Sequence, residues 1–203
     1  MLYPVAKILV SSGAKLLFRL RIIGEENIPR NGGLILAANH VSYWDIPLMA
    51  CGIDRQVDFM GKEGLFRVPV IGTVFKEMGG FPVRRGEGDR KSIQEAVRRL
   101  REGRTVGIFP EGTRSTSGRL QEGKPGVGML VALSGVPVVP VLIEGTWKWW
   151  RFGQVTVRYG RPMDFSAQFQ EENPEKKRVA YERISREIMA AIAKLGDTSA
   201  PAS

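Results

Sequence analysis

The feature that most constrains this chain is the run "GGLILAAN" at residues 32–39. Five consecutive apolar residues stand between Gly32-Gly33 and the polar Asn39, so a strand here has no polar face and must be covered on both sides. "RTVGIFPEGTRS" repeats the arrangement, an apolar strand ending in a polar loop. "RKSIQEAVRRLREG" carries Ile93, Val97 and Leu100 at three- and four-residue steps and stops at Gly103, which predicts a helix. "KPGVGMLVALSG" reads as helical, and "VPVVPVLIEG" as a strand whose two prolines are tolerated best near an edge or end. Brief strands are expected in "LRIIGEENIP", "QVDFMGKE", "GGFPVRRGEGDR" and "GQVTVRYGRPM". A short helix is expected in "VPVIGTVFKEMG" and a long one in "PEKKRVAYERISREIMAAIAKLG". Strands alternating with helices predict an α/β fold, a single domain with a largely parallel central sheet flanked by helices.

The 203 residues, 43% of them hydrophobic, suffice for one core, and no repeat or linker divides them. Thirty Lys and Arg against 21 Asp and Glu give a net charge of +9, which favours polyanions: nucleic acid, anionic headgroups or phosphate-bearing substrates. One cysteine, Cys51, and one histidine argue against a disulfide and against a zinc site. The apolar start "MLYPVAKILVSSGAKLLFRLRIIG" is broken by Lys7, Ser11, Ser12 and Lys15, short of the roughly 20 apolar residues of a spanning helix, and it lacks a signal-peptide pattern. On a helix, Val5, Ile8, Leu9, Leu16, Leu17 and Leu20 form an apolar surface flanked by Lys7, Lys15, Arg19 and Arg21. Such a helix either packs on the domain or lies in a membrane surface.

Parallel sheets place ligands beyond the C-terminal ends of their strands, where Asn39-His40 and Pro110-Glu111 fall. His40 and Asp45 form a His-x4-Asp pattern that suits a general base held by a carboxylate; a hydrogen-bonded histidine at the core edge has the same spacing. Ser42 is a plausible N-cap for a helix through "YWDIPLMACG". In "FPEGTRS", Gly112 permits a tight loop, Glu111 can fix it through backbone and cationic contacts, and Arg114 offers a planar fork for a phosphate or a solvated surface charge. Arg84 and Arg85 in "GGFPVRRG", and Lys62 in "FMGKEGLF", add positive charge near strand ends.

"NHVSYWD", "GGFPVRR", "FPEGTRS" and "VPVVPVLIEGT" occur in the order and approximate spacing of the four motif blocks of the glycerophospholipid acyltransferases, and from about Gly24 to Thr146 the chain resembles that family, most of all the bacterial 1-acyl-sn-glycerol-3-phosphate acyltransferases. The resemblance implies acyl transfer from acyl-CoA or acyl-carrier protein to the sn-2 hydroxyl of the lysophospholipid, giving phosphatidic acid, with no bound cofactor or metal. It implies His40 as base and Asp45 as its orienting carboxylate. Arg85 and Arg114 become phosphate-binding cations, Arg85 favoured over Arg84 by register. Glu111, Gly112 and Thr113 shape the acceptor site, and Val136 to Pro140 match the fourth block, whose role is structural or acyl-related.

The expected organisation is a docking helix over residues 1–20, an acyltransferase domain over 21–195 and a tail over 196–203. The expected partners are an anionic membrane surface, the lysophospholipid and the thioester, with the enzyme on the cytoplasmic face of the cell membrane, peripheral or monotopic. Rival readings are a family enzyme acting on glycerol-3-phosphate or another lysophospholipid, and a basic lipid- or nucleic-acid-binding module without catalysis. No nucleic-acid motif or aromatic-basic platform is recognised, so nucleic acid is not expected as a partner.

Overall fold

Strands β1 (Arg21–Ile23), β2 (Leu34–Ala38), β3 (Val57–Lys62), β4 (Phe81–Val83), β5 (Thr105–Ile108), β6 (Val138–Glu144) and β7 (Thr156–Tyr159) form one sheet in the order β1-β7-β6-β2-β5-β3-β4. The structure is a computed structural model that describes residues 2–69, 71–77, 79–83, 90–168 and 173–197. The helices are α1 (Leu2–Phe18), α2 (Asp45–Leu48), α3 (Ile71–Glu77), α4 (Arg90–Arg101), α5 (Gly126–Ser134) and α6 (Pro174–Asp197). All strand pairings are parallel except β6 with β7, so the α/β domain expected from the alternation of elements is what forms. Helix α6 runs to Asp197, and residues 198–203 of the expected tail lie outside the described residues.

The uniform apolarity of β2 follows from its place between β5 and β6, with every one of its residues buried. Leu34, Leu36 and Ala38 pack in one cluster with Ala14 and Phe18 of α1, Leu48 of α2, and Val139 and Val141 of β6. Ile35 and Ala37 point the other way, into a cluster with Leu100 of α4, Leu130 of α5 and Ile188 of α6. Each such aliphatic side chain contributes about 1.5–3 kcal/mol on full burial, so the centre of the sheet is the best-anchored part of the fold.

The opposite rim from the strand C-termini is tied by charge. Asp58 of β3 is fully buried between Arg99, at 3.0 Å, and Arg104, at 2.7 Å. The Arg55 guanidinium donates to the carbonyls of Pro29, Gly32 and Gly103, closing three turns at that end.

Of two local expectations, one is met by its second alternative and one needs correction. β6 is internal rather than an edge strand, yet Pro140 sits within it. The Pro140 carbonyl accepts from Gly160 N–H, just past β7, so the proline stands at the end of the β6–β7 ladder, where its missing N–H costs only that ladder's last bond. The helix after His40 is only Asp45–Leu48, and Ser42 does not cap it: the Ser42 hydroxyl accepts from Trp44 N–H at 3.3 Å, while the Asp45 carboxylate turns back onto the preceding backbone.

Candidate active site

Because β2 and β5 pair in register, Ala37 beside Ile108, the residues that follow them leave the sheet side by side. β6 flanks β2 on its other side, Ala38 beside Val141, and brings residues 143–146 to the same rim. Asn39 fastens this junction: its side-chain amide donates to Ile143 carbonyl at 2.9 Å and accepts from Ile143 N–H at 2.8 Å, as a neighbouring strand's peptide would.

His40 comes next, and its side chain is 13% exposed, within reach of a ligand at the rim. Its Nδ1 lies 3.0 Å from Asp45 Oδ2. The same oxygen accepts the backbone N–H groups of Val41 and Ser42, each at 2.7 Å, and Oδ1 accepts the Thr146 hydroxyl at 2.6 Å. Asp45 is fully buried, and four donors on two oxygens compensate for its loss of water. The Phe109 ring stacks on the imidazole at 3.9 Å with 15° between planes, fixing the ring from its flat side. Among the described residues Nε2 has no hydrogen-bond partner. An imidazole held at Nδ1 by a carboxylate, with the other nitrogen open, is arranged to accept a proton.

Glu111 binds the loop after β5 to this centre. Its Oε1 accepts His40 N–H at 2.7 Å, and its Oε2 accepts both the backbone N–H and the side-chain amide of Gln121. Both oxygens are occupied within the protein and Glu111 is buried, while no cation among the described residues pairs with it. Ser115 N–H donates to the His40 carbonyl at 2.7 Å, completing the brace. Gly112 turns at φ +71°, a conformation that favours glycine, and a Cβ there would stand 3.0 Å from the Lys124 side chain.

Thr113 and Arg114 are exposed. The Arg114 guanidinium lies 3.7 Å above the Tyr43 ring and donates to the Tyr43 hydroxyl at 3.0 Å, which holds a cation near His40 in a defined pose. Lys62 closes β3 at the same rim; its side chain is outside the described residues, as are Arg84 and Arg85.

Thr146, Phe109, Asn39 and Tyr43 carry much of this geometry without belonging to a spacing pattern. Thr146 closes the "VPVVPVLIEGT" block, and its contact with Asp45 gives that block a concrete part in the site. Directly after it comes "WKWWRF", with Lys148 and Arg151 between four aromatic residues. No helix among the described residues is long and apolar enough to cross a membrane. Ala14 and Phe18 of α1 pack on the core, whereas Ile8, Leu16 and Leu17 are exposed.

A family model described as acyltransferase matches residues 19–144. The chain is 36% identical over 150 residues to the 1-acyl-sn-glycerol-3-phosphate acyltransferase BAT2, chloroplastic, of Brassica napus, a match covering 71% of this chain and 42% of that one. It is 39% identical over 133 residues to the lyso-ornithine lipid O-acyltransferase of Pseudomonas aeruginosa, covering 64% of this chain and 49% of that one. The matched stretch thus spans half or less of these relatives' length. Among solved structures, the 1-acyl-sn-glycerophosphate acyltransferase PlsC of Thermotoga maritima superposes with a TM-score of 0.73 at 28% identity, covering 97% of this chain and 81% of that one.

Proposed function

Because the chain belongs to the acyltransferase family, we propose that it transfers a fatty acyl group from a thioester, acyl-CoA or acyl-carrier protein, to the sn-2 hydroxyl of 1-acyl-sn-glycerol-3-phosphate, forming phosphatidic acid. The observation that carries this reading is the 3.0 Å contact between His40 Nδ1 and the buried Asp45 carboxylate. His40 Nε2 takes the hydroxyl proton as the acceptor oxygen attacks the thioester carbonyl. The tetrahedral adduct collapses to the ester, the carbon–sulfur bond breaks, and the departing thiolate receives the proton from the imidazolium. Asp45 keeps Nδ1 protonated throughout and stabilises the transient cation. Glu111 and Gly112 shape the loop, Thr113 and Arg114 face the acceptor, and Arg114, Arg85, Arg84 and Lys62 supply positive charge for its phosphate. Residues 21–195 form the catalytic domain, α1 contributes to docking, and the enzyme works as a peripheral or monotopic protein on the cytoplasmic face of an anionic membrane.

The 39% identity with a lyso-ornithine lipid acyltransferase supports a second reading, the same chemistry on an acceptor without a phosphate. Purified protein assayed with lysophosphatidate, glycerol-3-phosphate and lyso-ornithine lipid, against acyl-CoA and acyl-carrier protein, separates the two. Under the first reading lysophosphatidate is used best, His40→Ala loses at least about 100-fold in turnover, and Arg114→Ala raises KM for the acceptor but not for the donor. Wild-type turnover in His40→Ala would refute the base assignment. Preference for lyso-ornithine lipid would decide for the second reading.

A further inference from the structure

We propose that Trp147–Phe152 is an interfacial anchor that seats the chain in the headgroup region of an anionic lipid bilayer, beside the catalytic groups. The proposal deepens the functional reading and rests on its premise that the acceptor is a membrane lipid. Four large aromatic residues in this segment are open to solvent: Trp147 at 39%, Trp149 at 41%, Trp150 at 57% and Phe152 at 56%. Aromatic side chains at that exposure, gathered in one place, mark an interaction surface rather than ordinary surface. Lys148 and Arg151 interrupt them, and no acidic residue occurs from Gly145 to Pro162. Amphipathic rings alternating with long basic stems match a bilayer interface, where the rings sit at headgroup level and the cations meet lipid phosphates.

The backbone supports a dedicated presentation of these rings. Among the described residues, Phe152 and Arg19 are the two non-glycine residues with positive φ, both at 46°, a conformation unfavourable for bulky side chains. Phe152 itself stacks on Phe18, the residue before Arg19, with centroids 6.3 Å apart, so the end of α1 and this segment are held together. Leu16 and Leu17, the two residues before Phe18 in α1, are also exposed. The segment is also joined to the site: Thr146 donates to Asp45, and Trp149 lies 6.3 Å from Trp44, the residue before Asp45. A lipid held at these rings is close to His40 without leaving the membrane. The rings are mutually tilted, 56° for Trp44 with Trp149 and 81° for Trp149 with Trp150, so they do not form the parallel platform on which bases stack. A second copy of this chain is disfavoured as the occupant, because an isologous contact would oppose like charges.

The test is co-sedimentation of the full chain with vesicles of phosphatidylglycerol and phosphatidylcholine in roughly a 3:7 ratio. Trp150→Ala should weaken partitioning about tenfold, and Trp150→Tyr should retain it. The double change Lys148→Gln and Arg151→Gln should weaken binding to these vesicles but not to pure phosphatidylcholine. Partitioning of Trp150→Ala equal to wild type would overturn the proposal. So would loss of a self-associated species in Trp150→Ala with unchanged partitioning, which would assign the patch to a second copy. Partitioning is read without turnover, so the two readings fail separately. A wild-type chain that binds through Trp150 yet acylates neither a water-soluble short-chain lysophosphatidate nor a vesicle-borne one supports the anchor and refutes the proposed reaction.

Discussion

Asp45→Asn separates the charge of the buried carboxylate from its shape. Oδ2 accepts three hydrogens, from Val41 and Ser42 backbone N–H at 2.7 Å and from His40 Nδ1 at 3.0 Å, whereas Oδ1 accepts one, from Thr146 at 2.6 Å. An asparagine can place its carbonyl where Oδ2 stands and keep all three donors. Its amide then occupies the Oδ1 position and donates to Thr146, whose hydroxyl rotates from donor to acceptor. The protein should therefore fold, losing about 1–3 kcal/mol as charge-assisted hydrogen bonds become neutral ones. Catalysis should suffer more, because the imidazolium formed in the transition state loses its counter-charge. Two unit charges about 4 Å apart at an effective dielectric near 20 attract by about 4 kcal/mol. Allowing for the amide dipole that remains, turnover should fall about 100- to 1,000-fold. The assays are kcat with saturating acceptor and donor, and urea unfolding followed by circular dichroism. Asp45→Ala, which leaves two backbone N–H groups without an acceptor, should unfold much more easily than the asparagine variant. Wild-type turnover in Asp45→Asn, or stability as poor as that of Asp45→Ala, would refute the reasoning.

Thr146→Val should lower turnover about tenfold by freeing Oδ1, and Thr146→Ser should restore it; kcat for the pair checks this. Acid stability should depend on Glu95, whose carboxyl is held down at about 2 by hydrogen bonds from the Arg98 and Arg99 guanidiniums against a smaller opposing push from burial. Its folded-state value lies below its unfolded one, so the contribution is fully present above the ordinary carboxylate range and is lost as pH falls toward 2. Urea midpoints of wild type and Glu95→Gln should differ at neutral pH and converge near that limit. Gly128 lies where α5 meets α6, and a Cβ there would stand 2.2 Å from the Tyr181 carbonyl oxygen. Gly128→Ala should therefore destabilise by about 1–3 kcal/mol despite its better helix propensity, as thermal unfolding would show.

The centre of the fold was legible because burial leaves a local trace: β2 is apolar throughout since both its faces are covered, and the 3.6-residue spacing in α4 shows which side meets the sheet. The His40–Asp45 pair was legible for a similar reason, since one turn of chain joins the two. Thr146 and Asn39 were not, because their partners stand 101 and 104 residues away and are brought near only by the β2–β6 pairing. The loop-fixing part of Glu111 is local, but its bond to His40 N–H depends on β2 and β5 being neighbours. For Pro140 the rule of edge or end leaves two placements, and only the pairing of β6 with β7 selects the end of a ladder over the edge of the sheet. The aromatic run after Thr146 was plain in the sequence; its meaning depended on where β6 delivers it.

The two-way bond between Asn39 and Ile143 has a consequence for how the molecule comes into being. A bridge across 104 residues closes late, after the large loop between its ends has been gathered in, so groups near it become ordered in the last cooperative step of folding. On the ribosome, His40 and Asp45 emerge a hundred residues before Thr146, and until then the carboxylate lacks the donor on its second oxygen. A nascent or truncated chain can thus be collapsed and helical while still inert, and onset of activity during refolding should lag behind recovery of the helical signal.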